Sequence, residues 1–401
     1  MLDSYEGRGR EGREGLMKAL ALLPGLEHLS IIECDDSHGG SMCIPLGEVL
    51  PGLQQLTFLE LDLELGVDPD TDDDSSEEGE DAAPMPHPTA VQMQHLSTLT
   101  RLADLRLPQI VCRFTAGMLS GVQTLTRLQL SGPYSHASFD PAALAGKTLL
   151  QHLELHFKAL LDGAPGVQLL AQLQLQQKLT CLQLGMQQSW RDIDPRSLPP
   201  AAAFAALTAS SKLQHLDVSE CKLPEGVWQY MFPAGRQLPH LMTLAFSAAA
   251  PEGGRLVSCC PALQSLAIAK LECTGDLLSS LQGLSGLHTL HLEPSWCNCE
   301  GFQGVVQLEG LRKLKVLNPS HFADKLLLQL TQLQHLTSLD YNGTVKDRMR
   351  GIFQCEVGCA WLFMKLFVVK AIANISKCPG LCLGCHNLQP CALFALDGIC
   401  T

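Results

Sequence analysis

Aromatic and basic residues are scarce in this chain of 401 residues. Phenylalanine, tryptophan and tyrosine make up only 5% of it, so a core must be packed mainly by aliphatic side chains. Lysine and arginine number 28 against 41 aspartates and glutamates, which leaves a net charge of −13. Binding to nucleic acid or to an anionic membrane depends on a basic surface. We therefore expect neither of them as a partner.

Signals for export and for membrane insertion are also missing. The opening stretch, MLDSYEGRGREGREG, lacks the apolar segment that a secretory signal requires. The apolar run at 360–375 contains Lys365 and Lys370, and it is shorter than the roughly 20 residues that cross a bilayer. We interpret it as a terminal helix that covers the end of the fold. The 17 cysteines are scattered, as is typical of reduced thiols in a cytoplasmic protein.

Common catalytic signatures do not occur either. The chain has no glycine-rich phosphate loop, no G-x-S-x-G elbow and no H-E-x-x-H helix. We therefore expect a protein without enzymatic activity and without a cofactor.

Leucine is abundant, and it recurs in one short phrase. The phrase is a leucine, two variable residues, a second leucine, one variable residue and an apolar residue, as in LEHLSI and LTRLQL. Its starts lie 22 to 34 residues apart, with one interval of 46 residues. The phrase begins at Leu26, Leu56, Leu102, Leu125, Leu150, Leu179, Leu213, Leu241, Leu263, Leu287, Leu311 and Leu336.

Over about residues 16–345 the chain resembles the leucine-rich repeat superfamily, whose period is roughly 20–29 residues. Its alanine-, glutamine- and leucine-rich composition is similar to that of repeat proteins of green algae. The family usually places asparagine or cysteine just after the strand, and here only Cys34 and Cys221 fill that place. We therefore expect irregular turns and leave the subclass open.

The resemblance implies an α/β solenoid of about 12 repeats, curved like a horseshoe. Alternating residues within the phrase favour a strand with one buried face, so Leu216 and Val218 should point inward. The strands would line the concave side in parallel, and short helices would line the convex side. Leucine-rich spacings of three and four residues predict such helices around Met118, Val122 and Leu125, around Leu277, Leu281 and Leu284, and around Leu326, Leu330 and Leu333.

Three segments stand apart from the repeats. Residues 1–15 read as a flexible lead, and 66–88 as a disordered acidic insertion within the array at 16–345. A calcium loop is excluded in the insertion because Asp73 stands where glycine is needed and Gly79 where glutamate is needed. Ser75, three residues before Glu78, fits an acidic-directed kinase site.

The third segment, 346–401, is a cysteine-rich tail or capping segment. We favour a poorly ordered tail, while a zinc or redox site stays open. The potential thiolate ligands are Cys378, Cys382, Cys385 and Cys391, with His386 as an alternative. A C-x-x-C-H match to covalent haem attachment has no supporting context.

The outward strand positions are the candidate binding site. One residue per coil forms a central column. The histidines of a second position (His28, His152 and His215) are surface residues rather than metal ligands, and His152 and His215 belong to the candidate binding site. The central column reads Ser30, Glu60, Arg106, Gln129, Glu154, Gln183, Asp217, Ala245, Ala267, His291, Lys315 and Asp340.

We therefore expect a scaffold that binds another protein through its concave face, as a monomer or as one member of a larger complex. A cytoskeletal, ciliary or signalling role is typical of such proteins in this superfamily. The alternatives are the substrate-recognition component of a ubiquitin ligase and a repeat protein whose tail binds zinc or is redox-active.

Overall fold

The computed structural model describes residues 19–20, 22–32, 49–62, 93–110, 112–132, 137–158, 160–185, 197–247, 253–272, 275–296, 303–317, 333–342 and 382–383. The chain divides into two compact units, Met1–Pro233 (unit 1) and Ala234–Thr401 (unit 2). The predicted lead at 1–15 and insertion at 66–88 lie outside the described residues, as does the tail at 346–401 apart from 382–383. Their boundaries stay predictions.

Unit 1 is built on a ladder of parallel strands, and each strand begins within one copy of the leucine phrase. The ladder runs in the order β1 (His28–Ile32), β2 (Phe58–Asp62), β3 (Asp104–Leu107), β5 (Arg127–Gly132), β7 (His152–Phe157), β8 (Cys181–Gly185) and β9 (His215–Val218). Two short strands, β4 (Arg113–Phe114) and β6 (Ser138–Phe139), pair separately in parallel.

Unit 2 repeats the pattern. Its strands pair in parallel in the order β10 (Thr243–Ser247), β11 (Ser265–Glu272), β12 (Thr289–Trp296), β13 (Lys313–Leu317), β14 (Ser338–Asn342) and β15 (Cys382–Leu383). The last of these comes from the cysteine-rich tail and pairs with the first two residues of β14. The parallel ladders confirm the α/β leucine-rich repeat fold.

The register of the ladder stacks the second leucine of each phrase into one buried row. Leu128, Leu153 and Leu182 are direct partners on β5, β7 and β8, and each is at most 1% exposed. Burying one such side chain contributes roughly 1.5–3 kcal/mol. A single short strand could not shield its leucine, so each coil depends on the coils beside it.

The segments that return from one strand to the next differ from the prediction. The segment with Met118, Val122 and Leu125 forms a 3-10 helix at Ala116–Leu119 and then a turn, not an α-helix. Only 23 residues separate the phrases at Leu102 and Leu125, and a strand and two turns leave little room for a helix. The interval from Leu150 to Leu179 is longer, and it holds the 13-residue helix α1 (Gly163–Leu175).

Of the other two predicted helices, one is present and one lies outside the described residues. The one around Leu281 is present as α4 (Gly275–Ser280) and a 3-10 helix at Leu281–Gly283, with Leu278, Leu281 and Leu284 buried. The one around Leu326 and Leu330 lies outside the described residues. The remaining α-helices are α2 (Trp228–Met231), α3 (Gly253–Cys259) and α5 (Gln303–Val306), and further 3-10 helices lie at Leu50–Gly52, Gln94–Thr98, Pro141–Leu144 and Ala201–Thr208.

Threonine joins consecutive coils in a way that the sequence did not lead us to expect. Where it follows the first leucine of the phrase, its hydroxyl donates to the carbonyl oxygen at the same position of the preceding coil. Thr126 Oγ1 lies 3.0 Å from Ala103 O, and the same oxygen accepts the backbone N–H groups of Thr126 and Arg127. Equivalent hydroxyl bonds are made by Thr57, Thr180 and Thr337.

Cys221 occupies the turn position that the repeat family reserves for asparagine or cysteine. Its side chain is fully buried, and Sγ donates to the carbonyl oxygen of Leu184 at 3.2 Å. Burial raises the pKa of this thiol well above its ordinary value. Cys221 is therefore a structural donor in the turn rather than a reactive group.

Candidate recognition face

The ladder face of unit 1 comprises the side chains of its ladder strands that point away from the leucine core. Strand alternation produces it, because each residue between two inward-pointing leucines points to the opposite face. The register aligns the predicted central column residue by residue: Ser30, Glu60, Arg106, Gln129, Glu154, Gln183 and Asp217. A second column beside it contains His28, Phe58, Asp104, Arg127, His152, Cys181 and His215.

Arg106 is fixed at the end of this face formed by β1, β2 and β3. Its Nη2 and Nε donate to the two carboxylate oxygens of Asp104 at 2.9 and 3.2 Å. The guanidinium carbon lies 4.9 Å from the centre of the Phe58 ring, and Nη1 lies 3.9 Å from Glu60. The bond to Asp104 raises the pKa of Arg106. Two paired bonds and a ring contact hold this side chain in one orientation.

Glu154 lies between two imidazoles on β7. Its carboxylate oxygens are 3.8 Å from His152 Nε2 and 3.2 Å from His156 Nε2, and Gln129 Nε2 donates to it from β5 at 3.2 Å. Interaction with His152 and then His156 lowers the pKa of Glu154 to about 2. The carboxylate is therefore ionised and held in place at neutral pH.

His156 reaches across a strand to a second carboxylate. Its Nδ1 lies 3.4 Å from Glu220, which follows β9. Hydrogen bonding to Glu154 and then Glu220 raises the pKa of His156 to about 9. We call Glu154, His156 and Glu220 the clamp. The prediction did not include His156 or Glu220. In the sequence, the only indication of His156 is its outward position on β7. Glu220 lies in a loop, where no repeat pattern indicates it.

Gly185 on β8 makes room for the clamp. A methyl group at this position would collide with His156 Nδ1 and with a carboxylate oxygen of Glu220. The glycine thus leaves the space that two side chains use where they pass over it. Its role is invisible in the sequence, because the three residues belong to three different coils.

Cys181 lies between His152 and His215 in the second column. A cysteine beside a histidine is a candidate nucleophile only if the thiol loses its proton. Burial, and then the nearby Glu154 charge, raise the pKa of Cys181 to about 11. Burial lowers the pKa of His215, which keeps its imidazole neutral. Neither shift favours the ion pair that an activated thiol needs.

Unit 2 has a different face. Its central column is Ala245, Ala267, His291, Lys315 and Asp340 in register. Ala245 is only 6% exposed, so it contributes little to the predicted surface. Lys315 pairs with Asp340 at 3.6 Å. Burial lowers the pKa of His291, so this imidazole is neutral.

Unsatisfied buried polar atoms concentrate on these strand faces. Within the described part of the chain, four buried side-chain atoms have no hydrogen-bond partner: Arg127 Nε, His152 Nε2, His291 Nε2 and Gln176 Oε1. Three of the four belong to outward strand positions. Such atoms are uncommon in folded proteins and call for an explanation at each position.

The remaining predicted sites receive little structural description. Of Cys378, Cys382, Cys385 and Cys391, only the backbone of Cys382 is described. Among the described ranges there is no cluster of three or more histidine, cysteine, aspartate or glutamate residues suited to a metal ion. In the same ranges no helix combines the length and apolarity that a membrane crossing needs.

Comparisons with known proteins add little to this description. No family model and no curated protein matches the chain. A plant peptide hormone receptor, RGFR1 in complex with RGF2, is similar at 15% identity and a TM-score of 0.38, over 80% of this chain and 49% of that one. TLR13 in complex with ssRNA13 is similar at 15% identity and a TM-score of 0.39, over 81% and 41%.

The chain therefore spans less than half the length of either structure. Neither similarity bears on the green-algal type or on the exclusion of nucleic acid, and both stay predictions. The evidence for the fold is internal, in the repeated phrase and in the parallel ladder that it builds. By that evidence, this is a protein with the leucine-rich repeat fold.

Proposed function

We propose that the protein is a non-catalytic scaffold that binds another protein through the ladder face of unit 1. The observation that carries this proposal is the preorganisation of the face. Ser30 donates to Glu60 at 2.9 Å and Gln129 donates to Glu154 at 3.2 Å, so neighbouring strands fix each other's side chains. Side chains that are already ordered lose little entropy when a partner binds.

The size and charge of the face also suit a protein partner. Seven strands spaced about 4.8 Å apart span roughly 30 Å, which is enough for an extended segment of about nine residues. Carboxylates on the face outnumber its arginines. Such a field accelerates association with a partner of net positive charge. The acidic members are Glu60, Asp62, Asp104, Glu154 and Asp217, and Glu220 lies beside them just after β9.

Gln183 offers the sharpest test. It lies in the central column between Glu154 and Asp217 and is partly exposed. Gln183→Arg would add a bulky cation in the middle of the face. Gln174→Arg makes the same change on the exposed surface of α1 and serves as the matched control. Each variant would be used as bait in an extract of the source organism, with quantitative mass spectrometry of the captured proteins.

We expect Gln183→Arg to reduce the captured partner at least tenfold while Gln174→Arg leaves it unchanged. Equal capture by both variants would rule out the ladder face of unit 1 as the binding surface. The partner's identity would also test the finer predictions. Axonemal or cytoskeletal proteins would support a ciliary role in the cytoplasm, and ubiquitin-ligase adaptors would support the alternative.

A further inference from the structure

Two arginines on the ladder face of unit 1 are held very differently. Arg106 is fixed by two hydrogen bonds to Asp104 and by the ring of Phe58. Arg127, on the next strand of the ladder, has its Nε 4.0 Å from Asp104 Oδ1 and without an acceptor. Its side chain is nevertheless 35% exposed. Arg127, with this one ion-pair contact to Asp104, is therefore held less tightly than Arg106.

His152 is the direct strand partner of Arg127, and it too has a buried nitrogen without a hydrogen-bond acceptor. The two residues face each other across β5 and β7. His152 Nε2 is buried without a hydrogen bond, 3.8 Å from Glu154. Each nitrogen has an ion-pair contact but no hydrogen-bond acceptor, and a buried N–H group without an acceptor is costly. Because Arg127 and His152 are neighbours on the outward surface, their two missing hydrogen bonds destabilise the unbound protein at the same position.

The neighbouring charges restrict the kind of acceptor that this spot would take. Asp104 lies 4.0 Å from Arg127 Nε, and Glu154 lies 3.8 Å from His152 Nε2. A carboxylate of the partner would be repelled by Asp104 and Glu154. A cation of the partner would be repelled by the guanidinium of Arg127. A neutral carboxamide avoids both problems. In a trans main-chain amide the oxygen accepts from Arg127 and His152, and the N–H on the opposite side is left to donate to a carboxylate of the face.

From this arrangement we infer that Arg127 and His152 form a receptor for a main-chain amide of an extended partner segment crossing β5 and β7. The inference rests on the proposed function and adds the chemistry of recognition to it. On binding, the Arg127 side chain turns outward so that Nε donates to the partner's carbonyl oxygen. His152 donates from Nε2 to the same oxygen. Arg106 keeps its bonds to Asp104, and its side chain does not move.

The test uses the full chain and a random-peptide phage library. Synthetic peptides made from the enriched sequences would be titrated against the wild type, Arg127→Met, Arg127→Lys, His152→Phe and the α1 control Gln174→Arg. A scan of N-methylated peptides would remove one main-chain N–H at a time, and replacement of any asparagine or glutamine in the peptide would test a side-chain amide instead. Thermal melts would establish that each variant is folded.

We expect Arg127→Met and His152→Phe each to weaken binding at least tenfold, and N-methylation at one position to do the same. Arg127→Lys should not restore affinity, because lysine keeps the charge but lacks the guanidinium Nε. Full affinity in Arg127→Lys, or tolerance of N-methylation at every position, would overturn the inference. So would loss of binding only when a peptide's asparagine or glutamine is replaced, because the contact would then be a side-chain amide.

Failure of this inference and failure of the proposed function give different results. If peptides bind but only Gln183→Arg abolishes their binding, the recognition face stands and the amide receptor is wrong. If no peptide is enriched while a native partner is still captured and lost in Gln183→Arg, the amide receptor is again wrong. If peptides or partner bind equally to Gln183→Arg, Arg127→Met and the wild type, both proposals are wrong.

Discussion

At the scale of single residues, the threonine after the first leucine of the phrase joins one coil to the next. Thr126→Val keeps the branched shape and removes only the hydroxyl that donates to Ala103. Because the carbonyl keeps its two backbone donors, the loss should be one ordinary hydrogen bond, about 0.5–1.5 kcal/mol in the free energy of unfolding. Urea unfolding would measure it. Thr148→Val, at an exposed position, is the control, and equal losses in the two variants would contradict this role of Thr126.

Another effect of a single residue is the clearance provided by Gly185. Gly185→Ala would push a methyl group into His156 and Glu220. We expect a loss of about 1–3 kcal/mol in the free energy of unfolding, which is typical of overpacking. Gly117→Ala is the matched control, because the nearest heavy atom to the new methyl group would be 3.9 Å away. Its stability should stay within about 0.5 kcal/mol of the wild type. Thermal melts of both variants would show whether space at Gly185 is needed.

At the scale of the element, the contribution of β7 to the free energy of unfolding depends on pH. The pKa of His156 rises from 6.5 to about 9 on folding, chiefly through Glu154 and then Glu220. A raised folded-state pKa means that the clamp contributes fully below pH 6.5 and loses its contribution as the pH rises through about 9. Because Glu220 is 55% exposed, solvent screening reduces the effect to on the order of 1–2 kcal/mol.

The comparison of the wild type with His156→Gln would isolate this contribution. Glutamine retains hydrogen-bonding capacity and removes the charge. The difference in the free energy of unfolding should be constant up to pH 6.5 and should shrink toward pH 9, as measured by urea titrations at each pH. A difference that stays constant up to pH 10 would show that the imidazolium charge contributes nothing.

Elements also differ in how far the sequence predicts them. The strands were predictable because two-residue alternation and the fixed leucines leave one register, so Glu154 faces Gln129 and Gln183 as expected. The return segments were not. The apolar residues Met118, Val122 and Leu125 have helical spacing, but the short interval permits only a 3-10 helix. Apolar spacing indicates which side chains are buried, while the available chain length decides the backbone.

At the scale of the whole molecule, the central column was predictable and its chemistry was not. Aligning the phrases was enough to bring Glu60, Arg106 and Gln129 into neighbouring positions. The clamp required more, because His156 and Glu220 are 64 residues apart and meet only where Gly185 leaves space. Contacts made along the ladder follow from periodicity, whereas contacts that involve loops depend on coil geometry.

The shared leucine row leads to a prediction for unit 1 as a whole. Leu153 is fully buried between Leu128 and Leu182, so Leu153→Asp would place a carboxylate without a partner in the core, at a cost of several kcal/mol. Since each coil is shielded by its neighbours, amide hydrogen exchange should accelerate in β5 and β8 as well as in β7. His152→Asp puts the same residue on the outward face of β7 and should leave β5 and β8 protected. Acceleration confined to β7 in Leu153→Asp would mean that the coils of unit 1 are stabilised separately rather than through their common row.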